Sequence, residues 1–296
     1  MALAAFGAAC FATKGIFAKF LYAEGWNFEA LLAIRMLWAL PVVWAWALWK
    51  VGPAALLRGP RGAIAGAIGA GVLCYYLGAL FNFYALTLID ASVERVLLFS
   101  YPTMVVILHS VLYRERPGTR VVAALALTYV GILVLVTGLD AAILRANLAG
   151  AGLVLVCALT FALYYLASDR WTRAIGSLPY TTWAITAATV CLASHYGLRH
   201  DYAEIEWTAD GVALMAGIVV FATVLPMLSM AEAVRRLGAQ RAAVVSTVGP
   251  PATILLAWWL LAERLTLAQW LGAALIVVGI VVLEYAKQKA PAPTPD

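Results

Sequence analysis

A lysine stands at position 14, inside an apolar run that extends from residue 2 to residue 22. An ionised lysine at the centre of a bilayer costs about 2.5–3.5 kcal/mol on insertion scales, so such residues pair, snorkel or serve a ligand. Two readings of Lys14 stand: a counter-charge for a substrate carboxylate, or a side chain that snorkels to the boundary. Phe11 lies three residues before it. Other apolar runs carry further groups at comparable depth. Tyr75, Gly78 and Asn82 follow Gly71 at helical spacing and share one face, on which small residues open space and Asn82 supplies a polar grip. Phe99 and Tyr101 precede Pro102, Phe161 lies near Tyr164 and Tyr165, and Trp183 opens a later run. A single ring at such a depth is more often core packing, but together these rings suit a flat apolar ligand with a polar handle. Pro102 and Pro250 each remove a backbone hydrogen bond and free the carbonyl four residues back, at Leu98 and Ser246. The result is a gating kink or a static bend. The candidate substrate contacts are therefore Phe11, Lys14, Tyr75, Gly78, Asn82, Phe99, Tyr101, Phe161, Tyr165, Trp183 and Ser246, with Pro102 and Pro250 as the gating pair.

The chemistry these groups support is binding. There is no HExxH, no GxSxG and no GxxxxGK[ST] loop, so neither an enzyme nor a nucleotide-driven pump is expected. The four cysteines lie in apolar runs without CxxC spacing and read as small buried hydrophobes; no metal or cofactor is expected.

The elements that hold such groups must lie in lipid. Of 296 residues, 65% are hydrophobic and only 12% charged, more apolar surface than a soluble fold can cover. A spanning helix needs about 20 apolar residues. Ten spans are read at 2–22, 30–49, 62–86, 91–113, 119–137, 147–167, 178–197, 211–234, 239–261 and 267–286, an all-α integral membrane fold. The tail 289–296 is expected to be disordered and cytoplasmic. With a cytoplasmic N-terminus, thirteen Lys and Arg fall inside and four (Arg95, Arg145, Arg199 and Arg264) outside, so both termini are expected in the cytoplasm. The net charge of +5 thus orients the protein, and no nucleic-acid partner is expected. Trp26, Trp44, Trp46, Trp49 and Trp207 read as interfacial anchors. Glu115 and Glu263 read as helix-end residues paired with the adjoining Arg, and Glu232 as a partner of Arg235 and Arg236. No Asp or Glu falls clearly at the centre of a span, so facilitated transport or exchange is expected over proton antiport.

A shift of 148 residues lays the second half of the chain over the first. Ala85, Ala91, Pro102, Glu115-Arg116 and Gly131-Ile132 meet Ala233, Ala239, Pro250, Glu263-Arg264 and Gly279-Ile280. The charges exchange ends: Arg235, Arg236 and Arg241 overlie Thr87, Leu88 and Val93, while Arg114 and Arg120 overlie Ala262 and Ala268. Five spans per half force opposite orientations, so residues 1–146 and 147–288 read as two inverted five-helix repeats. That is a scaffold for alternating access with a site near the midplane.

This doubled pattern resembles the EamA branch of the drug/metabolite transporter superfamily, and its aromatic supply is similar to that of aromatic amino-acid exporters within it. The resemblance implies export of aromatic and other neutral amino acids across a bacterial inner membrane, without ATP, by a protein expected to be monomeric. It places an aromatic at Phe11, Tyr101 and Phe161, two of which are Phe where Trp is frequent in the family. A cationic drug or another metabolite is the alternative cargo.

Overall fold

A computed structural model describes residues 2–114, 118–226, 229 and 248–288. Within them every regular element is helical and no strand occurs, as an apolar solvent requires of a chain whose backbone groups must bond internally. The helices α1 (Ala2–Ala12) and α2 (Lys14–Ala23) form one rod, interrupted at Thr13. Next comes α3 (Phe28–Leu57), capped by Asn27, whose side chain accepts from the Ala30 amide at 2.6 Å. Gly52, at φ 74°, breaks α3 just before Pro53, a conformation that glycine adopts without steric cost. The next rod runs through α4 (Arg61–Gly71), a π-helical stretch (Val72–Gly78) and α5 (Ala79–Leu88). It is followed by α6 (Ala91–Leu98), α7 (Tyr101–Tyr113), α8 (Thr119–Thr137), α9 (Ala141–Ile175) and α10 (Ser177–Arg199). Then α11 (Ala209–Val219) continues into a second π stretch (Val220–Val224), and α12 (Gly249–Leu260) and α13 (Leu267–Gln288) complete the described chain.

Among the described residues, five stretches are long and apolar enough to cross a bilayer: Phe28–Leu57, Arg61–Leu88, Ala91–Leu112, Thr119–Thr137 and Ala141–Ile175. Ala209–Val224 and Leu267–Leu283 are shorter apolar helices. The chain is a multi-pass membrane protein.

Element starts recur at the 148-residue shift. Arg61 and Ala209 open α4 and α11, Val72 and Val220 open the two π stretches, Tyr101 and Gly249 open α7 and α12, and Thr119 and Leu267 open α8 and α13. Arg114 and Ala262 both turn with φ 55°. Local conformation therefore follows the sequence repeat. The boundary read at 146/147 falls inside α9, which Asp140 caps by accepting from the amides of Ala142 and Ile143; the junction is helix, not linker.

The helices α8 and α13 cross in close contact. A Cβ on Gly131 would stand 2.8 Å from the Gly272 carbonyl, one on Gly272 2.5 Å from the Leu135 nitrogen, and one on Gly279 2.4 Å from the Thr128 hydroxyl. Small residues permit this approach, which drives helix association where lipid offers no hydrophobic advantage. Two of the tryptophans expected at the interface point inward instead. Trp26 is buried edge-on against Trp207 at 5.4 Å, and Trp44 donates to the Thr186 hydroxyl at 2.9 Å. Trp49 remains exposed, with Lys50 stacked 4.3 Å from its ring.

Gly279→Val should force α8 and α13 apart, costing about 1–3 kcal/mol and lowering the melting temperature in detergent. Gly69, exposed on α4 with open space around it, supplies the control. Gly69→Ala should be neutral or stabilising by up to about 1 kcal/mol, and equal losses in the two variants would refute the packing account.

Candidate substrate site

Two helix breaks and the start of α12 meet around Lys14. Thr13 loosens the turn between α1 and α2, and its hydroxyl donates to the Cys10 carbonyl at 2.7 Å. Phe99 and Ser100 separate α6 from α7, so Pro102 falls in the first turn of a new helix, where no amide donor is needed. Pro250 occupies the same place in α12. The kink expected from each proline is thus a helix start. Thr253 of α12 donates to the Ala12 carbonyl at 3.1 Å, bringing the α12 start against the α1 end. Ser246 lies outside the described residues, as do Glu115, Arg116 and Glu232.

Lys14 is 4% exposed and does not snorkel. Its Nζ donates to Asn82 Oδ1 at 2.6 Å and lies 3.0 Å from Glu94 Oε1, which also accepts from Asn82 Nδ2 at 2.5 Å. Lys14, Asn82 and Glu94 form a closed triangle joining α2, α5 and α6. Glu94 is 1% exposed at the depth of Lys14. A buried carboxylate therefore stands beside the lysine for which the sequence analysis names no acid.

Arg95, counted among the outside loop charges, is likewise a correction. It is buried at 5% exposure, its Cζ 4.6 Å from the Phe11 centroid and 5.9 Å from that of Phe99. Arg35 of α3 is buried at 6%, with its Cζ 4.7 Å from the Phe83 centroid. Lys14 Nζ lies 5.7 Å from Phe11 and 5.5 Å from Phe83. Cations and ring faces therefore alternate in the order Arg35, Phe83, Lys14, Phe11, Arg95. Ring quadrupoles attract cations more strongly when both are desolvated.

The expected aromatic group assembles beside this row. Tyr101 stacks on Tyr165 at 5.1 Å and lies 6.0 Å from Phe161 and 6.1 Å from Phe99. Tyr164 links Tyr165 at 6.0 Å to Tyr75 at 5.1 Å. Phe11, Tyr75, Tyr101 and Phe161 are half-buried and Tyr165 is 45% exposed. Trp183 borders Tyr164 and Tyr180 but turns its ring nitrogen to the Leu56 carbonyl at 2.9 Å, a helix tie.

The shared face of Gly71, Tyr75, Gly78 and Asn82 does not survive, because the π stretch between Val72 and Gly78 resets the helical register. Added Cβ atoms would meet the Ala184 carbonyl 2.2 Å from Gly71 and the Thr160 hydroxyl 2.2 Å from Gly78. These glycines admit α10 and α9; they do not open a cavity. Glu263 also departs from its expected partner. Its carboxylate accepts from the amides of Ala91 (2.9 Å) and Ser92 (3.0 Å) and from the Ser92 hydroxyl (2.7 Å), capping α6 just before Glu94 and Arg95.

Two expectations follow for stability in mixed micelles. Lys14→Met and Glu94→Met should each cost about 3–5 kcal/mol, because each strands a buried charge, and the double variant should cost less than the sum. Strict additivity would dissolve the triangle as an energetic unit. Glu263→Ala should cost about 0.5–2 kcal/mol by uncapping α6; an unchanged unfolding midpoint would remove that role.

Residues 1–137 and 148–285 each match the EamA-like transporter family. The uncharacterized transporter YcbK of Bacillus subtilis is 31% identical over 293 residues, covering 96% of this chain and 92% of its own. The uncharacterized inner membrane transporter YicL of Salmonella typhimurium is 26% identical over 66% of this chain and 64% of its own. One solved crystal structure superposes with a TM-score of 0.67 at 19% identity, covering 97% of this chain and 98% of that one, which establishes a common fold. The two family matches, which together span nearly the whole chain, make it a member of the EamA-like transporter family.

Proposed function

We propose that the protein is a secondary transporter that exports aromatic and other neutral amino acids across the bacterial inner membrane. The observation that carries this reading is the ring group of half-buried Tyr101 and Phe161 with exposed Tyr165, joined through Phe99 to the buried Arg95 at the α1, α6 and α12 junction. Rings take a flat side chain and a cation takes a carboxylate, the two features that an aromatic amino acid joins. Ten spans in two inverted five-helix repeats, with both termini cytoplasmic, are the architecture proposed for it. The recurrence of element starts at one constant shift supports the repeat. On this reading α7 and α12, each with a proline in its first turn, are the segments that swing as access alternates, and the protein works as a monomer. A cationic drug is the less suitable cargo, because Lys14, Arg35 and Arg95 outnumber Glu94.

Counterflow in proteoliposomes tests the cargo. Labelled phenylalanine and tryptophan should accumulate against preloaded unlabelled substrate, threonine should do so more weakly, and a quaternary ammonium dye should not. Indifference to the aromatic pair would defeat the assignment.

A further inference from the structure

Lys14 is the cation that the sequence offers for a substrate carboxylate, yet its ammonium is already committed. Glu94 neutralises it and Asn82 holds it, and the same Glu94 oxygen serves both. Arg95 is in a different position. Its Nε is buried without a hydrogen-bond partner, and among the described residues it forms no ion pair. Its chain neighbour Glu94 is occupied by Lys14 and Asn82. A buried guanidinium left this way is costly, since rings on its faces cannot accept its in-plane N–H bonds. Those rings, Phe11 and Phe99, take the faces of the guanidinium and not its N–H edge. Gly249, at the start of α12, stands close against that edge: a Cβ there would lie 2.7 Å from Arg95 Nη2. Phe99 in turn lies next to Tyr101, which leads into the stacked pair with Tyr165.

We propose that Arg95 is the receptor for the substrate's carboxylate, and that the ammonium group of an amino acid is dispensable for recognition. The inference deepens the transport reading above and rests on it for the aromatic part of the cargo. The planar fork of arginine matches a carboxylate with two parallel N–H···O bonds, which a lysine cannot reproduce. The local charge argues in the same direction. Among the described residues three buried cations face one carboxylate, so a bound carboxylate brings that group closer to neutrality, whereas a bound ammonium adds a fourth cation where those residues offer no uncommitted acid. The ligand class is thus an aromatic carboxylate, zwitterionic or simply anionic.

The test is competition against labelled phenylalanine on the full-length protein in detergent, with three competitors: phenylalanine, 3-phenylpropionate (carboxylate without ammonium) and phenethylamine (ammonium without carboxylate). Unlabelled phenylalanine and 3-phenylpropionate should compete within a few-fold of each other, and phenethylamine at least about tenfold more weakly, as loss of a charge-assisted pair implies. Arg95→Gln, checked for folding by its elution volume and melting temperature, should lose the preference for carboxylate; Arg95→Lys should retain part of it. Equal competition by phenethylamine, or a folded Arg95→Gln that keeps the preference, would overturn the proposal while leaving aromatic transport intact. If the wild type binds no phenylalanine, the aromatic amino-acid assignment fails by itself. Arg95 is then judged by melting temperature: a rise with 3-phenylpropionate alone upholds it, and a rise with neither or both rejects it.

Discussion

Among the described residues, three cations and one carboxylate share the interior where α2, α3, α5 and α6 meet, and the neighbouring helices are arranged to make that imbalance tolerable. Burying an unpaired charge is among the most expensive acts a fold can perform. Here the debt of negative charge is met in three ways. Glu94 neutralises Lys14, Asn82 hydrogen-bonds to both, and Phe11 and Phe83 lie between the cations so that each faces a ring. Moving any of these four helices by one turn would leave a charge facing aliphatic side chains. The electrostatics thus specify a register that apolar packing, indifferent to small slides in lipid, would leave loose.

Much of this was legible before any coordinate. Lys14 drew notice because an isolated charge in an apolar run has few uses, and Asn82 because it was the polar residue on a helix of small and aromatic ones. The rings at Phe99, Tyr101, Phe161 and Tyr165 do gather. Glu94 and Arg95 escaped because they stand four and five residues into their run. Charges near a span boundary are by habit assigned to the loop, and that habit supports the orientation count. The clue was the Lys14 cost itself, which demanded an acid at equal depth. The glycines misled for another reason. Spacing assigns a face only while the helix keeps 3.6 residues per turn, and the π stretch from Val72 to Gly78 violates that condition in the middle of the pattern. Trp26 and Trp44 were misread because composition reports amphipathic character and not direction.

The repeat was visible in sequence as a few shared residues at a constant offset, and it is much plainer in conformation. Val72 and Val220 begin π turns, Ser100 and Val248 precede helix starts, and Arg114 and Ala262 adopt the same left-handed turn. Side chains differ at the last two of these pairs. Backbone form has been retained where side-chain chemistry has diverged. The charged triangle is the clearest divergence: Glu94 and Arg95 correspond to Ala242 and Ala243, so the polar chemistry belongs to one side of a backbone plan that occurs twice.

Glu263 adds an element of time. A ribosome releases Ala91 and Ser92 long before the residue that satisfies their amides, 172 and 171 positions later. Chains fold as they emerge, amino-terminal segments first. The start of α6 must therefore wait in the insertion machinery or in lipid with its amides unanswered while most of the remaining helices are threaded, and it closes only when the penultimate turn arrives. A ribosome stalled before that point would leave the first stretch inserted but unlocked, with its charged interior not yet sealed, so quality control has a natural mark of incompleteness. Biogenesis of the two family-matching stretches is for this reason a single event, however separable they look on paper.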